Sequence, residues 1–130
     1  MNEIEAKNKL KNVRCFMLDM DGTIYLGDSL FPFTRDFLNA VTESGREFCF
    51  FTNNSSKDTD TYLKKLSRMG IEIPREKMLI SNGVAADYVL ENHPGAKVFV
   101  LGTPLLRREL TNFGVNVVED DPDVVLVGFD

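Results

Sequence analysis

The chain has 130 residues, 43% of them hydrophobic and 27% charged, with a formal net charge of −5 at neutral pH. That size and balance fit one folded domain with a real core and exclude a disordered chain. The acidic balance excludes the electrostatic footprint of a nucleic-acid or anionic-membrane binder, and no apolar run approaches a membrane-spanning length.

Residues 1–12 suit a short polar helix, with Ile4 and Leu10 as weak anchors. Their first residues lack the apolar stretch of a secretion signal, so a cytoplasmic location is expected. A strand is predicted over 13–19, ending in the apolar run Cys15-Phe16-Met17-Leu18 and then Asp19. Thr23 to Leu26 and Leu30-Phe31, separated by Gly27-Asp28-Ser29, read as a small hairpin that Pro32 ends. Phe37, Leu38 and Val41 predict a helix over 34–44, with Gly45 as its stop.

Glu47-Phe48-Cys49-Phe50-Phe51 is nearly all apolar, as a strand covered on both faces should be. It runs into the small hydrogen-bonding residues Thr52-Asn53-Asn54-Ser55-Ser56. Tyr62, Leu63, Leu66 and Met69 predict a helix over 58–69, closed by Gly70. Met78-Leu79-Ile80 is a short strand, and Ser81 or Asn82 can cap the helix that runs on to Asn92. Residues 97–101 form another strand, followed by Gly102-Thr103 and a helix over 104–112 that carries Pro104 just inside its start. Short strands over 115–118 and 123–128 complete the chain, the last of them buried-looking.

Strands alternating with helices predict an α/β fold with a parallel sheet and helices on both faces. The loops at the strand C-termini then converge on one crevice, bringing Asp19, Asp21 and Thr52 together. Asp-x-Asp-Gly-Thr arises by chance in about one chain in a thousand of this length, from average residue usage. Side chains alternate along a strand, so Asp19 and Asp21 can lean the same way. Such a pair is costly to bury unless a cation or a shared proton compensates. A divalent metal with chemistry beside it is therefore expected, against the plainer alternative of a turn whose carboxylates cap nearby N–H groups.

Other candidate features carry less. A calcium loop starting at Asp19 would need Gly at its sixth position and Glu at its twelfth, where Ile24 and Leu30 stand. The acidic run Glu119-Asp120-Asp121-Pro122-Asp123 reads as a solvated turn, and His93 lies in a loop beside Pro94-Gly95. If Asp19 and Thr52 end neighbouring strands, Cys49 lies level with Phe16. Cys15 then points to the opposite face, so two buried thiols are expected rather than a disulfide.

Asp19-Met20-Asp21-Gly22-Thr23 followed by Phe51-Thr52-Asn53-Asn54-Ser55 resembles motifs one and two of the haloacid dehalogenase superfamily. Thr23-Ile24-Tyr25-Leu26-Gly27-Asp28, Leu101-Gly102-Thr103-Pro104 and Val127-Gly128-Phe129-Asp130 narrow the resemblance. They point to the branch of p-nitrophenylphosphatases, phosphoglycolate phosphatases and nucleotide monophosphatases. The resemblance implies a Rossmann-like three-layer α/β sandwich with a mainly parallel sheet. It also implies a Mg²⁺-dependent phosphatase whose partner is a small phosphorylated metabolite. Asp19 would be the nucleophile, forming an aspartyl-phosphate. Asp21 would protonate the leaving alcohol and then activate water. Mg²⁺ would bind a carboxylate oxygen of Asp19 and the backbone carbonyl of Asp21. The Thr52 hydroxyl and the Asn53 backbone N–H would hold the phosphoryl group.

The family's third-motif lysine and its later acidic motif have no counterpart in these 130 residues. In this branch the Val-Gly-Phe-Asp segment leads into a large cap domain. The sequence thus reads as the N-terminal portion of a core, truncated before the cap, and is expected to be weakly active or inactive by itself. A receiver-like phosphoacceptor or a non-catalytic interaction domain is the alternative. Receivers, however, place a Lys at a later strand end, where Thr52, Ser81 and Gly102 stand here. A dinucleotide site fits poorly, since no Gly-x-Gly-x-x-Gly follows a strand. No feature of the sequence sets an oligomeric state.

Overall fold

Each predicted helix and strand forms, with small shifts at its ends. The computed structural model describes residues 2–128, which divide inside one strand into two units, 1–50 and 51–130.

The first unit opens with α1 (Glu3–Leu10). The Asn2 side chain accepts from Glu5 N, and Glu5 returns a bond to Asn2 N. This reciprocal box satisfies the helix start. The helix buries nothing, and Ile4 and Leu10, expected as anchors, are both exposed. Its sequence has too few apolar positions for a packed stripe, so the cap and the Glu3–Lys7 ion pair support it instead.

β1 (Cys15–Asp19) lies beside β4 (Glu47–Thr52), and Glu47 N donates to Arg14 O at 2.8 Å. Between them come the hairpin strands β2 (Tyr25–Leu26) and β3 (Ser29–Leu30), then α2 (Thr34–Glu43). The hairpin is antiparallel, with Tyr25 opposite Leu30 and Leu26 opposite Ser29. Gly27 sits at φ +60°, the conformation that the first residue of this tight turn demands. α2 turns Leu38 and Val41 inward, and Phe37 on its flank meets Phe16 edge-on with centroids 5.7 Å apart. Its first residue, Thr34, is buried and donates its hydroxyl to Ile24 O at 2.6 Å, tying helix to hairpin.

The second unit contains α3 (Thr59–Arg68), β5 (Met78–Ile80), α4 (Ser81–Asn92), β6 (Lys97–Leu101), α5 (Pro104–Asn112), β7 (Asn116–Val117) and β8 (Val124–Val127). β6 is central in its sheet and runs parallel to both β7 and β8. Val98, Val100 and Leu126 meet Ala86 and Val89 of α4 and Leu106 and Leu110 of α5 in one apolar cluster. Both helices therefore cover the same face of this sheet.

The opposite face keeps Leu101, Val125 and Val127 exposed, the last at 68%. β8 is thus not the fully buried strand its four apolar residues suggested. The thiols also depart from expectation. Neither cysteine forms a disulfide, but Cys15 is exposed and Cys49 only partly covered. The run 119–123 is a turn, with the exposed Asp121 at φ +50° pairing with Lys97 at 2.5 Å. No helix among the described residues is long and apolar enough to cross a membrane.

Candidate active site

Asp19 is the last residue of β1, and the segment after it makes a tight turn. Met20 is completely buried, so the chain sends the methionine inward and leaves the flanking carboxylates partly or fully exposed. Gly22, at φ +80°, donates its N–H to Tyr25 O at 2.8 Å. Thr23 N and Ile24 N both reach Met20 O, at 3.1 and 3.0 Å. These N–H groups are thus satisfied by carbonyls, and the reading of the pair as local capping groups does not hold for Asp19. No hydrogen bond or ion pair reaches the Asp19 carboxylate from the described residues. Asp21 forms a bridge with Tyr25, whose hydroxyl donates to Asp21 Oδ2 at 3.2 Å, long for such a bond.

These groups belong to the first unit, whereas Thr52 and Asn53 lie in the second. Thr52 is only 5% exposed, and its Oγ1 accepts from Asn54 N at 3.2 Å. That bond uses the oxygen and leaves the hydroxyl hydrogen to donate. Thr52 is therefore a turn residue and not a helix cap; α3 takes its cap from Asp58. Asn54 Oδ1 receives both Ser56 N at 3.0 Å and Ser56 Oγ at 2.6 Å, as expected of turn residues.

The rest of the loop is held by side chains from strand ends. Ser81 Oγ donates to Asn53 O at 3.3 Å, and Thr103 Oγ1 donates to Ser56 O at 2.9 Å. Asn82 Nδ2 donates to Lys57 O at 3.0 Å. Neither Ser81 nor Asn82 caps α4, because both side chains reach back to this loop instead. Thr103 does cap α5, accepting from Leu106 N with Pro104 in the first helical turn.

Sequence reasoning missed the charged residues behind the loop. Asp58 is buried, accepts from Thr61 N at 3.0 Å and Thr61 Oγ1 at 2.5 Å, and pairs with Arg108. Glu109 is 2% exposed and pairs with no sequence motif. A signal did exist: Glu109 lies three residues after Leu106 and next to Leu110, at a position that helical periodicity turns toward the core.

Burial works to raise the Asp58 pKa, but hydrogen bonds from Thr61 and Arg108, with the Arg108 charge, bring it below the ordinary 3.8. A depressed native pKa adds stability that is complete above the unfolded value and lost as pH falls through the native one. Melting temperature is therefore expected to drop on acidification below about pH 4, and Asp58→Asn to flatten that drop. A thermal melt series from pH 6 to the acid limit checks this; an unchanged slope in the variant would remove Asp58 from the acid response.

No cluster of three or more His, Cys, Asp or Glu residues that could enclose a metal occurs among the described residues. The chemistry of Asp19 and Asp21 still suits a hard cation. Magnesium binds oxygen ligands, keeps several waters and needs only one or two carboxylates. An Asp19 carboxylate that no described residue bonds fits that demand.

Residues 16–116 match the family model described as haloacid dehalogenase-like hydrolase. The acid sugar phosphatase of Staphylococcus aureus is 32% identical over 93% of this chain and 47% of its own length. The 4-nitrophenylphosphatase from Thermotoga maritima superposes with a TM-score of 0.89 and 40% identity, over 93% of this chain and 46% of that one. Glycerol phosphate phosphatase from Mycobacterium tuberculosis, in complex with magnesium, gives 0.78 and 28%, over 92% and 37%. This chain spans about half the length of the curated relatives it matches. It belongs to the haloacid dehalogenase-like hydrolases, and its α/β fold with mainly parallel strands is theirs.

Proposed function

From that membership, we propose that the chain carries the nucleophile and phosphate-binding part of a Mg²⁺-dependent phosphatase acting on a small phosphate monoester. The observation that carries this reading is the Asp19 carboxylate: at a strand end, beside a second carboxylate, and engaged by none of the described residues. An Asp19 oxygen attacks phosphorus while the ester P–O bond breaks, and the departing oxygen takes its proton from Asp21. Asp21 then removes a proton from water, which attacks phosphorus, releases inorganic phosphate and restores the Asp19 carboxylate. The Tyr25 hydroxyl orients Asp21 for both transfers. Thr52 Oγ1–H and the Asn53 N–H hold the phosphoryl oxygens. Asp19 and the Asp21 carbonyl would hold magnesium, which would supply positive charge against the anionic substrate.

The names of the relatives support small phosphate esters as substrates, with a sugar phosphate and glycerol phosphate among them. The match to less than half of each relative agrees with reading residues 1–130 as one portion of a longer hydrolase. A cytoplasmic setting agrees with two cysteines that form no disulfide.

Hydrolysis of p-nitrophenyl phosphate tests the reading. A version extended to the length of the relatives is expected to turn over with Mg²⁺, to fall to background in EDTA and to recover when Mg²⁺ is restored. The 130-residue chain by itself is expected to be weak. Turnover indifferent to EDTA would overturn the metal assignment. Robust turnover by the short chain would overturn the idea that half of the machinery lies elsewhere.

A further inference from the structure

We propose that Glu109 is a positioning residue for the phosphate-binding loop, an inference that rests on Thr52 and Asn53 being the phosphate donors. Burying a carboxylate is unfavourable unless its oxygens are satisfied. Here Oε1 accepts from Thr59 N at 2.8 Å and Thr59 Oγ1 at 2.5 Å, and Oε2 accepts from Asn82 Nδ2 at 2.7 Å. Arg75 pairs with Oε1 only at 4.0 Å, beyond hydrogen-bonding range, so neutral donors make the close contacts to the group.

Each of those donors leads back to the loop. The Asn82 amide gives hydrogen bonds from the same nitrogen to Glu109 and to Lys57 O. Thr59 begins α3, directly after the loop. Glu109 thus fixes both ends of Lys57-Asp58-Thr59 through one side chain. Asn82 Oδ1 is buried with no hydrogen-bond partner among the described residues. The amide is oriented by its donors alone, at the cost of an orphaned oxygen. Ser81 and Thr103 hold Asn53 O and Ser56 O from the same two helices. Such supporting bonds set where a donor points, and a loosened support is felt as lost affinity at the site.

Glu109→Gln keeps the shape but substitutes an NH₂ for one oxygen, so it faces Thr59 or Asn82 donor to donor. The probe is inorganic phosphate with saturating Mg²⁺, followed by the amide resonances of Thr52, Asn53 and Asn54 in the 130-residue chain. Phosphate binding is expected to weaken about tenfold in Glu109→Gln, by analogy with other supporting-shell losses, while Mg²⁺ affinity stays unchanged. Thr59→Val, which removes one donor and keeps the volume, is expected to weaken phosphate by about threefold and serves if the first variant fails to fold. Wild-type binding matched by both variants would overturn the positioning role and leave the phosphate-donor reading intact. Phosphate and Mg²⁺ affinities falling together with melting temperature would reduce Glu109 to a purely structural role and overturn it too. No phosphate-dependent shift at Thr52 or Asn53 in the wild type would defeat the underlying reading, and the inference with it.

Discussion

In the version extended to the length of the relatives, Asp19→Asn is expected to lower p-nitrophenyl phosphate turnover by about ten-thousandfold or more, the scale on which losing a nucleophile acts. The substitution is nearly isosteric, but an amide oxygen carries no full charge with which to attack phosphorus. Folding should not suffer, because no described residue donates to the carboxylate being replaced. Removing one of two neighbouring negative charges should, if anything, raise the melting temperature in metal-free solution. The paired measurement is therefore decisive: turnover lost with the melt retained places the effect in the chemistry. Asp21→Asn makes the control. p-Nitrophenolate leaves readily without a proton, so that variant should still transfer phosphoryl to Asp19 and stall at the water step. Turnover left intact in Asp19→Asn would remove this residue as the nucleophile.

The largest effect on stability is expected at Leu106. Its side chain is almost completely buried and occupies a slot between Gly102 and Gly128, at the ends of β6 and β8. Gly128 N donates to Leu101 O at 2.8 Å, holding those two strand ends together. A Cβ built on Gly102 would come 2.8 Å from Leu106 Cδ2, and one on Gly128 would meet the same methyl more closely still. Leu106→Ala should cost about 2–5 kcal/mol, since a fully buried leucine leaves a cavity in the cluster. Gly128→Ala should cost about 1–3 kcal/mol by overpacking. The double variant should be less destabilised than the sum, because the alanine at 106 vacates the space that the new methyl needs. Urea unfolding of the four proteins measures the coupling; strict additivity would mean that the two residues do not share the slot.

Much of this molecule was legible in its sequence because its signals are local. Periodicity and Gly stops located the helices, and Gly45 and Gly70 do sit at positive φ just past α2 and α3. The acidic turn was legible because Asp19 and Asp21 stand only two residues apart in the chain. The polar support of the 52–59 loop was not, because its partners lie as far as 50 residues away in the chain, as Thr59 and Glu109 do. Ser81 and Asn82 looked like caps by residue type, yet both face acceptors that only folding brings near. The exposure of Cys15 and of the outer valines of β8 escaped for a related reason. Hydrophobic runs announce a strand but do not say whether anything covers its second face.

That second face has a practical consequence. β8 is the terminal strand of its sheet, four apolar residues long, with Val125 and Val127 turned outward beside Leu101. Ribbons of this kind recruit identical copies, since main-chain groups along the rim and greasy β-branched surfaces both reward stacking. Crowded ribosomal synthesis of this chain alone therefore favours inclusion bodies, and dilution or a solubilising fusion partner should improve recovery more than any change of buffer.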